Sequence, residues 1–158
     1  MNAILNSLRS TFASTFGSTF TTYLKGKVEL VAQDDLPYLC IYGTETRQSR
    51  SGTLRDKVEY DISVEIKISV KKYLDNSAGQ GTQLDTYDAL IALVEDRTDG
   101  VLDADTVMGI ICDNMTAGGL TLYNDSIKVR YDQYLEANKF PIAKAVVTFT
   151  AFDRPNRT

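Results

Sequence analysis

The sequence predicts an α+β subunit: a mixed, mainly antiparallel sheet with a long hairpin, flanked by an N-terminal helix and a central amphipathic helix. Three observations carry this. The stretch VEYDISVEIKISVKKY, residues 58 to 73, places Val58, Tyr60, Ile62, Val64, Ile66, Ile68 and Val70 at every second position, with charged residues or Ser almost everywhere between them. A period of two is a strand with one apolar face. Ile4, Leu8, Phe12, Phe16, Phe20 and Leu24 recur four residues apart, the spacing of an amphipathic helix. Leu84, Tyr87, Leu90, Ile91 and Val94 also follow helical spacing, and Thr82 stands three residues ahead of Asp85 as in a capping box.

Taken in order, residues 1–26 read as the N-terminal helix and a linker, built on the tandem tetrad STFA-STFG-STFT. Four residues turn a helix through about 400°, so the apolar stripe drifts roughly 40° per step and the helix should be most regular before Gly17. Ser and Thr are poor helix formers, so the element depends on docking. The Phe stripe reads first as core packing, with a partner surface as the alternative. Lys25 and Gly26 resemble a last-turn cation and a C-terminal glycine. After an extended VELVA, Asp34 and Asp35 lead into LPYLCIYGTET, where Leu36, Leu39, Cys40, Ile41 and Tyr42 are apolar on both alternating faces. That suits a strand interior to a sheet, with Pro37 confined to its first residues. RQSRSGTLRDK then reads as a polar loop of about ten residues, so that 36–73 form a long antiparallel hairpin. This loop holds Arg47, Arg50, Arg55 and Lys57, and is either an exposed turn or a docking arm for an acidic partner.

The central helix is expected over 82–97, closed by Gly100. DADTVMGIICDNM is either a short helix capped by Asp103 or Asp105 or a buried strand, and the helix is preferred. Gly118 and Gly119 mark a turn. LTLY and SIKVRYDQY read as strands broken at Asn124-Asp125, and PIAKAVVTFTAF is the final strand, so 120–153 supply the C-terminal strands. Residues 1–158 are read as a single domain.

The long strand raises a question of size. From Val58 to Val70 it spans roughly 43 Å at about 3.3 Å per residue, whereas a compact domain of this length is only ~30 Å across. Either it projects as an arm whose apolar side needs a neighbour, or a bulge bends it and its own core uses it all. On its polar face Glu59, Asp61 and Glu65 precede Lys67 and Lys71. That order is either a solvated face or a surface lining a channel or meeting another subunit, where a charge gradient would set register.

Composition excludes more than it selects. The hydrophobic fraction of 43% and charged fraction of 24% are ordinary, so pattern must carry function. A net charge of -4 argues against a nucleic-acid binder held by phosphate neutralisation. There is no histidine, and the two cysteines, Cys40 and Cys112, sit among apolar neighbours as free thiols. Histidine-based metal sites and Ser/His or Cys/His catalysis therefore lack their residues. GQGT at 79–82 lacks the lysine of a phosphate loop, and EDRTDGVLDAD does not keep calcium-loop spacing. No catalytic residue, metal or cofactor is expected, and the chain does not read as an enzyme. No apolar run approaches the ~18 residues of a membrane span, and the N-terminus lacks the basic head and apolar core of a signal peptide. No membrane partner and synthesis in the cytoplasm are expected.

The order of an N-terminal amphipathic helix, LPYLCIYGTET as first core strand, a polar loop, VEYDISVEIKISV, the helix TYDALIALVEDR and the closing AVVTFTAFDRPNR resembles the tail terminator (tail-completion) proteins of phages with long non-contractile tails. The LPYLCIYGTET strand and the FDRPNR ending match best; Asp99 to Gly119 and the STF tetrads lie outside the likeness. The resemblance implies a homo-oligomer, a ring of six copies on the head-proximal end of the tail tube, which ends tube polymerisation and offers a surface to the head-tail connector protein. Its partners would be the tail tube protein and that connector, with DNA passing through the lumen without specific binding. Its place would be the virion tail, after assembly in the host cytoplasm. A neck or head-closure protein, or a tube ring protein of the same virion region, is the nearest alternative. A small acidic ligand-binding domain or acid/base enzyme is the alternative from another class.

Overall fold

The computed structural model describes residues 1–28, 32–51, 55–69, 83–113, 121–122, 127–135 and 141–153. The chain opens with helix α1 (Asn2–Phe16), then β1 (Thr22–Lys25), and next come two long strands, β2 (Tyr38–Ser51) and β3 (Arg55–Ser69). Helix α2 (Gln83–Glu95) follows, then a small hairpin of β4 (Arg97–Thr98) and β5 (Val101–Leu102), helix α3 (Val107–Asp113), β6 (Thr121–Leu122), β7 (Lys128–Leu135) and β8 (Pro141–Asp153). Six strands make one sheet in the order β1-β2-β3-β8, with β6 and β7 end to end along the far edge of β8. Among the described residues only β1 runs parallel to its neighbour. The fold is α+β.

The alternation of β3 is used on both sides. Its even residues Ile62, Val64, Ile66 and Ile68 are buried in the main core beneath the helices. Their cross-strand neighbours are Leu39 and Ile41 on β2 and Ala143, Ala145, Val147 and Phe149 on β8. Over this face lie Ile4, Leu8 and Phe12 of α1, Leu90 and Val94 of α2, and Val107 and Ile111 of α3, all fully buried. Burying a side chain of this kind stabilises the fold by about 1.5–3 kcal/mol, which is how a Ser- and Thr-rich helix such as α1 is held. The Phe stripe is core: Phe12 and Phe20 are buried, and Phe16 bridges them in ring contacts of 6.3 and 5.1 Å. Helix α1 stops at Phe16, as the drifting stripe predicts, and Gly17 takes a positive φ of 52°.

The structure corrects five local expectations. Lys25 and Gly26 do not end a helix, because Thr22–Lys25 is an edge strand beside β2. Most of the expected loop at 47–57 is strand: β2 runs to Ser51 and β3 starts at Arg55, so the pairing takes up nearly all the polar residues. A bulge exists, but on β2 between Gly43 and Glu45 rather than on the long strand. Helix α2 ends at Glu95, and Gly100 turns a hairpin instead of closing the helix. Asp99 and Gly100 both have positive φ, 52° and 81°, the conformation that a two-residue type I′ hairpin loop requires. Helix α3 is present as preferred, but its cap is Thr106, whose Oγ1 accepts the Gly109 N–H at 3.0 Å. Gly109 itself cannot carry a side chain there, since a Cβ would run into the carbonyl of Asp103. GQGT at 79–82, Val70 and Lys71 lie outside the described residues.

Candidate functional site

The face of the sheet away from the helices holds the charged residues. The connection between β1 and β2 contributes to it: Val28 and Leu36 pack with Tyr38, Cys40 and Ile142 in a second, smaller core. At the hairpin end Arg47 lies opposite Glu59 and its guanidinium makes a two-pronged contact with Asp61, Nη1 to Oδ2 at 2.7 Å and Nη2 to Oδ1 at 3.0 Å. Glu45 and Glu59 approach the same guanidinium at 3.5 and 3.4 Å. Thr150 on β8 donates its hydroxyl to Asp61 at 2.9 Å. Arg47 is thus engaged by its own sheet. Arg50, Arg55 and Lys57 occupy the paired strands, with their side chains outside the described residues.

The expected acidic-to-basic face divides in two. Glu59 and Asp61 are about a quarter exposed, at 25% and 27% of their side chains, and stand at the acidic end. Glu65 and Lys67 do not lie open as a channel-lining surface requires; both are buried at 3%. Glu65 accepts the Tyr38 hydroxyl at 2.9 Å and the Tyr42 hydroxyl at 3.3 Å, one on each oxygen, and Lys67 Nζ stands 3.7 Å away. Lys67 also lies 5.6 Å from the centre of the Tyr38 ring. A buried charge survives only when paired and hydrogen-bonded, and here tyrosines on one strand and a lysine on the next provide that. Burial pushes the Cys40 thiol up to about 11 and the Tyr42 hydroxyl up to about 12, with the negative charge of Glu65 adding to both. Burial also pushes the Tyr38 hydroxyl far up. These groups stay protonated and act as donors and packing, not as acids or bases.

Beside Glu65 a cleft of about 360 Å³ opens, lined by Lys27, Val28, Tyr42, Lys67, Arg130, Lys144 and Val146. Four cations face one carboxylate there, on a chain whose net charge is -4. Asp132 lies opposite Lys144 in the β7–β8 register, so cations remain in excess even when it is included. Sequence reading misses this cleft because Lys27, Arg130 and Lys144 lie on three separate segments; only the alternation in KVRYD and IAKAV, which puts Arg130 and Lys144 out of phase with the apolar core positions, hints at it. A larger cavity of about 730 Å³ lies between α1 and the β2 bulge, where Met1, Leu5 and Gly43 meet. Among the described residues no group of three His, Cys, Asp or Glu side chains could hold a metal ion, and no helix is long and apolar enough to cross a membrane.

No protein-family model matches the chain, and no curated protein matches it. One solved structure aligns over 99% of this chain and 94% of its own at 12% identity, with a TM-score of 0.41, a likeness too loose to carry an argument.

Proposed function

We propose that this chain is a virion structural and assembly protein of the tail terminator kind: a ring subunit, not an enzyme, that caps the head-proximal end of a phage tail tube and presents a surface to the head connector. The observation that supports this most is the reach of the β2–β3 hairpin. Among the described residues β8 pairs with β3 as far as Val58 opposite Asp153, and beyond that point the hairpin continues through Ser49–Lys57, Arg50–Asp56 and Ser51–Arg55 as a ribbon of two described strands. A two-stranded ribbon on its own is marginal in water, so an arm of this kind is best explained by a neighbouring subunit that covers it. The acidic balance of the chain suits a passage through which DNA slides without sticking, because like charge disfavours phosphate contact. The test is genetic and morphological. Deleting the gene from its phage should give headless tails of uncontrolled length, and the purified protein should form sixfold rings with a central hole in negative stain. Tails of normal length after deletion would move the assignment to a neck protein, and a strictly monomeric particle at high concentration would remove the ring.

A further inference from the structure

We infer that the cationic cleft is the socket for the β4–β5 hairpin of a second copy of this chain. This deepens the ring-subunit reading above and rests on it for closure of the ring, though not for the contact itself.

The hairpin has the character of a plug. Val101 beside its turn is 70% exposed, against 37% for Ile91, the other large apolar side chain left open among the described residues. Around it, residues 95–105 contain Glu95, Asp96, Asp99, Asp103 and Asp105 against the single cation Arg97. That segment alone carries a charge equal to that of the whole chain. Asp96, Asp99 and Asp105 are exposed. The turn that presents them is fixed, with Asp99 and Gly100 at positive φ and the Asp103 carboxylate accepting both the N–H and the hydroxyl of Thr98 at 3.0 and 3.1 Å.

The cleft has the opposite charge. Its lining is mostly polar, with Lys27, Arg130 and Lys144 standing around it and Val28, Tyr42 and Val146 between them. Glu65, the carboxylate within it, already holds two tyrosine hydroxyls and Lys67, so Lys27 and Arg130 keep the rim positive even with Asp132 set against Lys144. A hairpin bearing the exposed carboxylates Asp96, Asp99 and Asp105 and a cleft bordered by cations are complementary in charge, the property that sets register and partner choice at an interface. A chain cannot fill its own cleft in this way. The hairpin leaves the helical layer between α2 and α3, whereas the cleft opens on the other face of the six-stranded sheet. The contact therefore runs from one face of a subunit to the opposite face of the next, and head-to-tail contacts of this kind close into rings when the rotation per subunit permits.

The experiment is a charge swap followed by sedimentation and negative stain. One variant carries Asp96→Lys with Asp105→Lys, another Lys27→Glu with Arg130→Glu, and a third carries all four; these four residues are exposed, and circular dichroism checks that each variant is folded. Each two-residue variant should lose self-association by on the order of a hundredfold, because like charges are brought together, and the fourfold variant should recover most of it. As a second measurement independent of charge, Val101→Cys in one copy and Val28→Cys in another, both in a Cys112→Ser background, should form a disulfide only when the two are mixed. If rings form and neither pair of reversals changes them, the contact is wrong while the ring stands. If open head-to-tail chains form and the reversals break them, the contact holds and the ring reading fails. Absence of both the mixed disulfide and any effect of charge reversal overturns the proposal.

Discussion

Glu65 and Cys40 face each other across the β2–β3 register, and the consequences of that placement are readable in solution. Cys40 is fully buried, its thiol held up at about 11 against an ordinary 9.0, first by desolvation and then by the Glu65 charge. A thiol with a raised folded-state pKa contributes stability that is complete below the unfolded value and is lost as pH rises through the folded one. The loss attributable to Cys40 should therefore begin near pH 9 and be complete near pH 11, with Tyr42, raised to about 12, extending the decline. Thermal unfolding midpoints measured from pH 7 to 11 should fall above pH 9 in the wild type, and the fall should be shallower in Cys40→Ser, where Cys112 and the phenols remain to titrate. Coincident profiles for the two proteins would mean that the thiol is not desolvated in the native state. Cys112, only partly buried, should react with a thiol reagent at pH 8 well before Cys40 does.

At the scale of elements, β3 gives a paired test of its two faces. Ile62 is 1% exposed within the main core, while Asp61, next to it, points the other way into contacts with Arg47 and Thr150. Ile62→Asp should abolish folding, since it places an unpaired carboxylate in an apolar interior. Asp61→Ser should cost about 1 kcal/mol or less in urea unfolding, the ordinary worth of a partly exposed ion pair. Equal tolerance of the two would contradict the observed alternation. The period of β3, the end of α1 at Gly17 and the existence of α2 were legible in the sequence because each rests on spacing within one segment. What was not legible depends on partners distant in sequence. The residues of the expected loop at 47–57 become strand because Ser49, Arg50 and Ser51 find Lys57, Asp56 and Arg55 across the hairpin, although none of them has the composition of a strand. Lys25 ends a strand because β2 lies alongside it. The Asp99-Gly100 turn is the exception: its dipeptide is a hairpin signal, masked by the helix that ends so close before it.

Across the whole molecule, charge and layering divide the labour. The helices and the apolar face of the sheet make one core, and the other face is left with an acidic end around Asp61 and a basic cleft around Glu65. The order of charges along β3 pointed to this division, but burial of Glu65 and Lys67 depends on Tyr38, Tyr42 and the segment crossing at Val28, which only the assembled sheet brings together. The arm makes a last prediction. Arg47 is committed to carboxylates of its own sheet, so its reversal should disturb the subunit itself. Arg50 and Arg55 lie in the ribbon past the last described β8 pairing, where reversal leaves the main core untouched. Arg50→Glu with Arg55→Glu should therefore keep the thermal midpoint within a few degrees of wild type, because no residue of the main core belongs to that ribbon. The same variant should weaken ring formation or capture by tail tubes in sedimentation. Adding Arg47→Glu should lower the midpoint further, because it leaves Glu45, Glu59 and Asp61 crowded around a fourth negative charge. If the double variant assembles and binds tubes as wild type does, the ribbon is not a docking arm, and the hairpin's length has to be explained within a single subunit.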